Sequence, residues 1–140
     1  MLIGIPKNIS PELLKVLSEM GHGDEILLAD GNYPAAAHAQ LLVRADGLGV
    51  PELLESILSL FPLDPMVECP VVLTQYPAGQ EEPEVWATYH AIVEEKAGEV
   101  GFELLDAPDF YARAKKCYAI VATGEGATYA NIILRKGIVG

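Results

Sequence analysis

Ile26-Leu27-Leu28-Ala29 is a short, unbroken apolar run that ends at a cluster of turn formers, Asp30-Gly31-Asn32-Tyr33-Pro34. A half-exposed strand would alternate, and a buried helix would need more length. A run of this kind fits a strand covered on both faces. Tyr118-Ala119-Ile120-Val121-Ala122 has the same character. Strands buried on both sides need a layer above and a layer below, which restricts the chain to helices flanking a sheet.

Helical patterns occupy the intervals. Ser10-Pro11-Glu12 reads as a helix start, with Ser10 as cap and Pro11 at the first helical position, where a missing N–H is harmless. Leu13, Leu14, Leu17 and Met20 follow on one face, and Gly21 is the expected stop. Pro51 opens a second helix, carrying Leu53, Leu54, Ile57, Leu58 and Phe61, which Pro62 closes. A longer helix is expected from about Glu84 to Ala97, with Trp86, Tyr89 and Val93 inward and Glu84, Glu94, Glu95 and Lys96 outward. A short one starts at Pro108-Asp109. Further strands are expected at 40–44, 71–74, 102–105 and 131–134, with Pro70 fitting a strand's first residue or a sheet edge. The alternation predicts one α/β domain over residues 1–140, a three-layer sandwich with a mainly parallel or mixed sheet. The apolar end, Gly137-Ile138-Val139-Gly140, is expected to be tied down at a subunit contact.

Composition narrows the partners. At 140 residues, a chain buries about 68–70% of its unfolded surface, enough for a real core. The formal charge of −11 opposes a nucleic-acid footprint and an anionic membrane surface, both of which call for a basic face. The two cysteines, Cys69 and Cys117, form neither a disulfide framework nor a CxxC pair. No secretory signal or spanning run is recognisable, so a soluble, cytoplasmic protein is expected.

Several chemistries lack their motif. Gly47-Leu48-Gly49 and Gly124-Glu125-Gly126 each miss the third glycine of a dinucleotide fingerprint. No P-loop, HExxH or GxSxG occurs, and His22, His38 and His90 are too scattered to suggest a metal site. No metal and no cofactor is expected. What remains is polar groups beside apolar strands, where open α/β sheets place their sites. Asp30 and Asp106 follow strands, Thr128, Tyr129 and Asn131 precede one, and His22 lies in a glycine-flanked loop before the first. By residue type alone each has an ordinary structural explanation. The residues by themselves reach no further than an α/β domain with a small-molecule site.

Longer stretches carry more. Residues 9–26, containing Gly21-His22-Gly23-Asp24-Glu25, resemble the start of the L-fucose branch of the fucose mutarotase and ribose pyranase family. Val43-Arg44-Ala45-Asp46-Gly47 fits that branch too, and residues 119–125 and 129–137 resemble its closing segment. The resemblance runs the length of the chain. It implies cofactor-independent interconversion of the anomers of L-fucose, with His22 as catalytic acid and Asp30, Tyr129 and Asn131 holding the sugar. It also implies a homo-oligomer, a ring-shaped decamer, with sites completed across subunit contacts. One departure stands out: where the family often has an arginine or histidine, this chain has Ala107, so either one donor is absent or another residue such as Arg113 replaces it. The rival readings are ribose pyranase chemistry on D-ribose and a non-catalytic sugar-binding module. A proton shuttle separates catalyst from binder, and histidine titrates closer to neutral pH than any other side chain.

Overall fold

The computed structural model describes residues 1–140 and contains six strands and five helices in an alternating order. α1 (Pro11–Glu19) leads to β1 (Glu25–Ala29), α2 (Ala35–His38), β2 (Leu42–Ala45), α3 (Val50–Leu58) and β3 (Val71–Thr74). α4 (Glu84–Ala97), β4 (Phe102–Leu105), α5 (Ala107–Ala114), β5 (Ala119–Thr123) and β6 (Ile132–Arg135) complete the chain. The strands form one sheet in the order β2-β5-β1-β6-β3-β4.

β1 pairs in parallel with β5, β5 with β2, and β3 with β4, while β6 runs antiparallel to both β1 and β3. The sheet is therefore mixed, with β6 the single reversed strand. That reversal decides where functional groups meet, because the carboxyl ends of the other strands share an edge with the start of β6.

Burial on both faces is what the apolar runs require. Ile26 and Leu28 face a core formed with α1, α3 and α4, which includes Leu13, Leu54, Trp86 and Tyr89. Leu27 and Ala29 face the other layer, where α2 and α5 supply Ala35, Phe110 and Ala114. Four of β1's residues and all five of β5 are buried. The result is a three-layer α/β sandwich. No helix is long and apolar enough to cross a membrane.

Local expectations mostly hold. Ser10 Oγ accepts the Leu13 N–H at 3.1 Å, as a helix cap should. α4 spans the expected residues and buries Trp86, Tyr89 and Val93. Three details differ. α1 stops at Met20, in extended conformation, rather than by a left-handed Gly21. Gly21 instead donates its N–H to Asp24 Oδ2 at 2.7 Å. Pro70 precedes an interior strand, since β3 lies between β6 and β4, so the edge reading fails. α2, only four residues long, is an addition to the expected elements. At the C-terminal end, Gly137 donates to the Pro62 carbonyl, but Ile138 and Val139 stay exposed within one copy of the chain.

Candidate functional site

His22 is presented by a tight loop at the amino end of β1. Lys136, just beyond β6, gives its ammonium to the Leu17 and Met20 carbonyls at 2.8 and 2.7 Å, closing the end of α1 ahead of this loop. The Gly23 N–H donates to the Lys136 carbonyl at 2.8 Å. Gly23 has φ +87°, so the loop depends on glycine for its shape, and a Cβ there would also press on Arg135 Nη2 at 3.0 Å. His22 Nε2 then lies 2.9 Å from Asp64 Oδ1, with the imidazole 42% exposed and the carboxylate fully buried.

Asp64 came from outside the sequence reading. It lies in the loop after α3, where its other oxygen accepts Arg135 Nε at 2.8 Å and Oδ1 also accepts the Met66 N–H at 3.0 Å. The Arg135 guanidinium foremost, then the Met66 N–H and the His22 ring, hold the Asp64 carboxyl down at about 2. It is ionised at neutral pH and can only accept hydrogen bonds. His22 Nε2 must therefore carry the proton shared with it, which leaves Nδ1 as the nitrogen able to exchange a proton. A buried carboxylate fixing one tautomer of a half-exposed histidine is an arrangement suited to general acid–base chemistry.

Asp30, Asn131 and Tyr129 gather at the opposite edge of the sheet. The Asp30 N–H donates to Asn131 Oδ1 at 2.8 Å, joining the end of β1 to the residue before β6. Both residues are buried. Asp30 Oδ1 accepts the Asn32 N–H at 2.9 Å. Burial raises the Asp30 carboxyl above its ordinary value, opposed by the backbone N–H groups of Asn32, Tyr33 and Ala130 and reinforced by the Glu125 charge. Tyr129, half-buried, is the one non-glycine residue with a positive φ, at 52°. Gly124 brings the preceding loop close, since a Cβ there would sit 2.1 Å from the Asp46 carbonyl.

A cleft of about 340 Å³ opens beside Asp30, lined also by Tyr33, Ala35, Arg44, Asp46 and Thr123. A larger one, about 910 Å³, lies between α4 and the loop carrying Asp64 and is lined by neither His22 nor Asp30; Tyr129 and Asn131 line neither cleft. Size alone does not point to hydroxyl-binding chemistry, so the smaller cleft is the better candidate.

Of the four expected site residues, Asp30 and Asn131 are brought into contact, Tyr129 stands two residues before Asn131 on the same loop, and His22 is not among them. β1 stands between, and four rises of about 3.3 Å put its first and last residues roughly 13 Å apart, with His22 and Asp30 lying beyond them. Ala107 is exposed at the first position of α5, behind the capping Asp106. Arg113 does not replace a donor there. Its Nε and Nη2 both reach the Glu25 carboxylate at 2.7 Å, at the amino end of β1, and Nη1 lies 3.5 Å from Glu103. Asp64 and Arg135 had no local signal, because the pair joins residues distant in sequence and each looks ordinary where it stands.

Comparison with known proteins bears on the family and the fold. The model of the RbsD / FucU transport protein family matches residues 3–139. The chain is 47% identical to the fucose mutarotase of Homo sapiens, over 99% of this chain and 94% of the human one. It is also 47% identical to the L-fucose mutarotase of Actinobacillus pleuropneumoniae, over 99% of this chain and 97% of that one. The crystal structure of the fucose mutarotase from Streptococcus pneumoniae in complex with L-fucose superposes with a TM-score of 0.96 at 53% identity, covering 99% of this chain and 100% of that one.

Proposed function

The chain belongs to the RbsD / FucU transport protein family, and on that premise we propose that it interconverts the α and β anomers of L-fucose. It is an isomerase acting on a monosaccharide. Mutarotation removes a proton from the anomeric hydroxyl, adds one to the ring oxygen, lets the open chain rotate about C1–C2, and recloses the ring. The reaction already runs slowly in water, so a positioned acid–base group supplying roughly 10²–10⁴-fold is most of what a catalyst must add.

The observation that carries the reading is the His22–Asp64 pair. A pure sugar binder has no use for a half-exposed imidazole whose tautomer is set by a buried carboxylate. In this reading His22 is the catalytic acid, working through Nδ1, and Asp64 and Arg135 orient it. Asp30, Tyr129 and Asn131 hold the sugar. An ionised carboxylate accepts two hydroxyl hydrogen bonds, an amide both donates and accepts, and a tyrosine offers a hydroxyl on a flat apolar ring. That set suits a deoxy sugar with one methyl group.

The separation of His22 from Asp30 supports a site built by two copies, with one copy's His22 meeting the sugar held by the other's Asp30. A closed ring of ten copies belongs to the same reading, as does placement in the cytoplasm, for which the unpaired Cys69 and Cys117 argue. Sedimentation mass tests the assembly.

The function is tested by saturation-transfer NMR. Saturating the α-anomer H1 of L-fucose should reduce the β-anomer signal when the protein is added, and D-ribose under the same conditions should exchange more slowly. No transfer with bound L-fucose would leave a binding module, and equal or faster exchange of D-ribose would favour pyranase chemistry.

A further inference from the structure

We propose that Trp86 and Tyr89 are positioning residues that hold the backbone of Tyr129–Asn131 in the shape that presents its sugar-binding side chains. The proposal rests on the reading of Tyr129 and Asn131 as sugar ligands. Tyr129 has a left-handed backbone, with φ 52°, which a bulky side chain adopts only where its surroundings impose it.

The surroundings are specific. Trp86 Nε1 donates to the Tyr129 carbonyl at 2.8 Å, and Tyr89 Oη donates to the Ala130 carbonyl at 2.7 Å. Both donors lie on α4, three residues apart and so on one face. Both are core side chains, Trp86 2% and Tyr89 0% exposed, and have little freedom to turn away. The β1–β6 ladder ends at the Leu28–Ile132 pair, so the carbonyls of Tyr129 and Ala130 lie beyond it. Without the two aromatic donors these oxygens would lose the partners seen here, a heavy penalty for the buried Ala130 carbonyl and a smaller one for the part-buried Tyr129 carbonyl.

The other end of the loop is fixed independently. The Glu125 carboxylate accepts the Val50 N–H at 3.0 Å and the Ala127 N–H at 3.1 Å, and its carbonyl accepts the Gly31 N–H at 2.8 Å. Between these anchors lies Tyr129. Directly after the clamped carbonyls comes Asn131, whose side chain accepts the Asp30 N–H. Two hydroxyl-binding side chains are thus indexed to α4 through consecutive peptide groups. The donors touch backbone, not sugar, and act through it.

The test compares Trp86→Phe and Tyr89→Phe with the unaltered protein, reading L-fucose anomer exchange, L-fucose affinity by calorimetry, and amide hydrogen exchange at residues 129–132. Tyr89→Phe removes one hydroxyl and keeps the ring, so it carries the test if Trp86→Phe fails to fold. Each folded variant should lose about tenfold in exchange. Combined with Tyr129→Phe, the loss should be clearly less than the product of the single losses, because both changes act through one group. Amide exchange at residues 129–132 should accelerate by about tenfold or more, a readout that needs no enzymatic activity. If the unaltered protein failed to exchange L-fucose anomers, the functional reading would fall while the amide measurement still judged the clamp. Exchange of sugar within about twofold of the unaltered protein in a folded Tyr89→Phe variant, or fully multiplicative losses, would overturn the positioning role. Unchanged amide protection would overturn the clamp itself.

Discussion

His22 and Asp30 stand at opposite ends of the same strand: the imidazole is anchored by Asp64 before β1 begins, and Asp30 is tied to Asn131 after it ends. Both are held by residues far away in sequence, so neither is free to swing toward the other. With His22 as the proposed acid and Asp30 in the proposed sugar cradle, their separation makes sense if neighbouring copies face each other with unlike ends.

Replacing the acid gives the simplest expectation. In the proposed mechanism His22→Asn removes the group that exchanges the proton; the buried Asp64 loses one partner but keeps Arg135 and the Met66 N–H. L-fucose exchange should fall by about 10²–10⁴-fold while the unfolding temperature stays nearly unchanged. Saturation transfer and thermal circular dichroism measure the two, and a variant with full exchange would remove His22 from the mechanism.

Asp64→Asn separates orientation from charge. The amide still fills the space but no longer fixes Nε2–H, and Arg135 loses its anionic partner. Exchange should drop about tenfold or more, with the pH profile displaced relative to the unaltered protein. Stability should respond as well. The folded-state value of Asp64, about 2, lies below the ordinary 3.8, so the folded state binds fewer protons across that window. Its contribution is fully present above about pH 3.8 and is lost as pH falls through about 2. Acid unfolding of Asp64→Asn should therefore show a shallower slope in that range, and an identical slope would contradict the ion pair.

Asp30 has the opposite sign. Its carboxyl is raised above 3.8, chiefly by burial, so ionisation works against folding as pH rises through the shifted value. Asp30→Asn should weaken L-fucose binding about tenfold or more, the loss expected for hydroxyl bonds to a charged acceptor. The same variant should be at least as stable as the unaltered protein at pH 7, with any gain vanishing in acid. A large loss of stability at pH 7 would refute this account of Asp30.

Much of this was legible from residues alone, for physical reasons. The apolar runs of β1 and β5 announce burial on both faces, and Ser10-Pro11 announces a helix start. Strand direction is different. Ile132-Ile133-Leu134 reads the same in a parallel or antiparallel neighbour, because both faces are covered either way, so the reversal of β6 is visible only in the fold. α2 was hidden because Ala35-Ala36-Ala37 has no apolar stripe. Asp64 lies between Leu63 and Pro65, where an aspartate suggests a turn, and its partners are 42 and 71 residues away. Of the two alternatives at Ala107, substitution by Arg113 fails because Arg113 is engaged by Glu25, which nothing near it in sequence reveals.

Ala107 offers a gain-of-function test. A guanidinium at the first position of α5 faces the helix's positive end, which should lower stability slightly, by about 0.3–1 kcal/mol. If the position borders the sugar, Ala107→Arg should tighten L-fucose binding about tenfold, as a charged donor to a hydroxyl would. Calorimetry reads the affinity, and an unchanged value would show that the sugar lies elsewhere relative to α5.

The central claim is that one copy's His22 works on the sugar held by another copy's Asp30. It is tested by mixing two impaired variants, His22→Asn and Asp30→Asn, in equal amounts after dissociation, and measuring exchange once they reassemble, at L-fucose concentrations well below those that Asp30→Asn needs for binding. If each site joins two copies, random mixing gives about one quarter of sites an intact His22 from one variant and an intact Asp30 from the other, so about one quarter of normal exchange should return. If each chain carried a complete site of its own, mixing would restore nothing, and exchange remaining at the level of the separate variants would contradict the account.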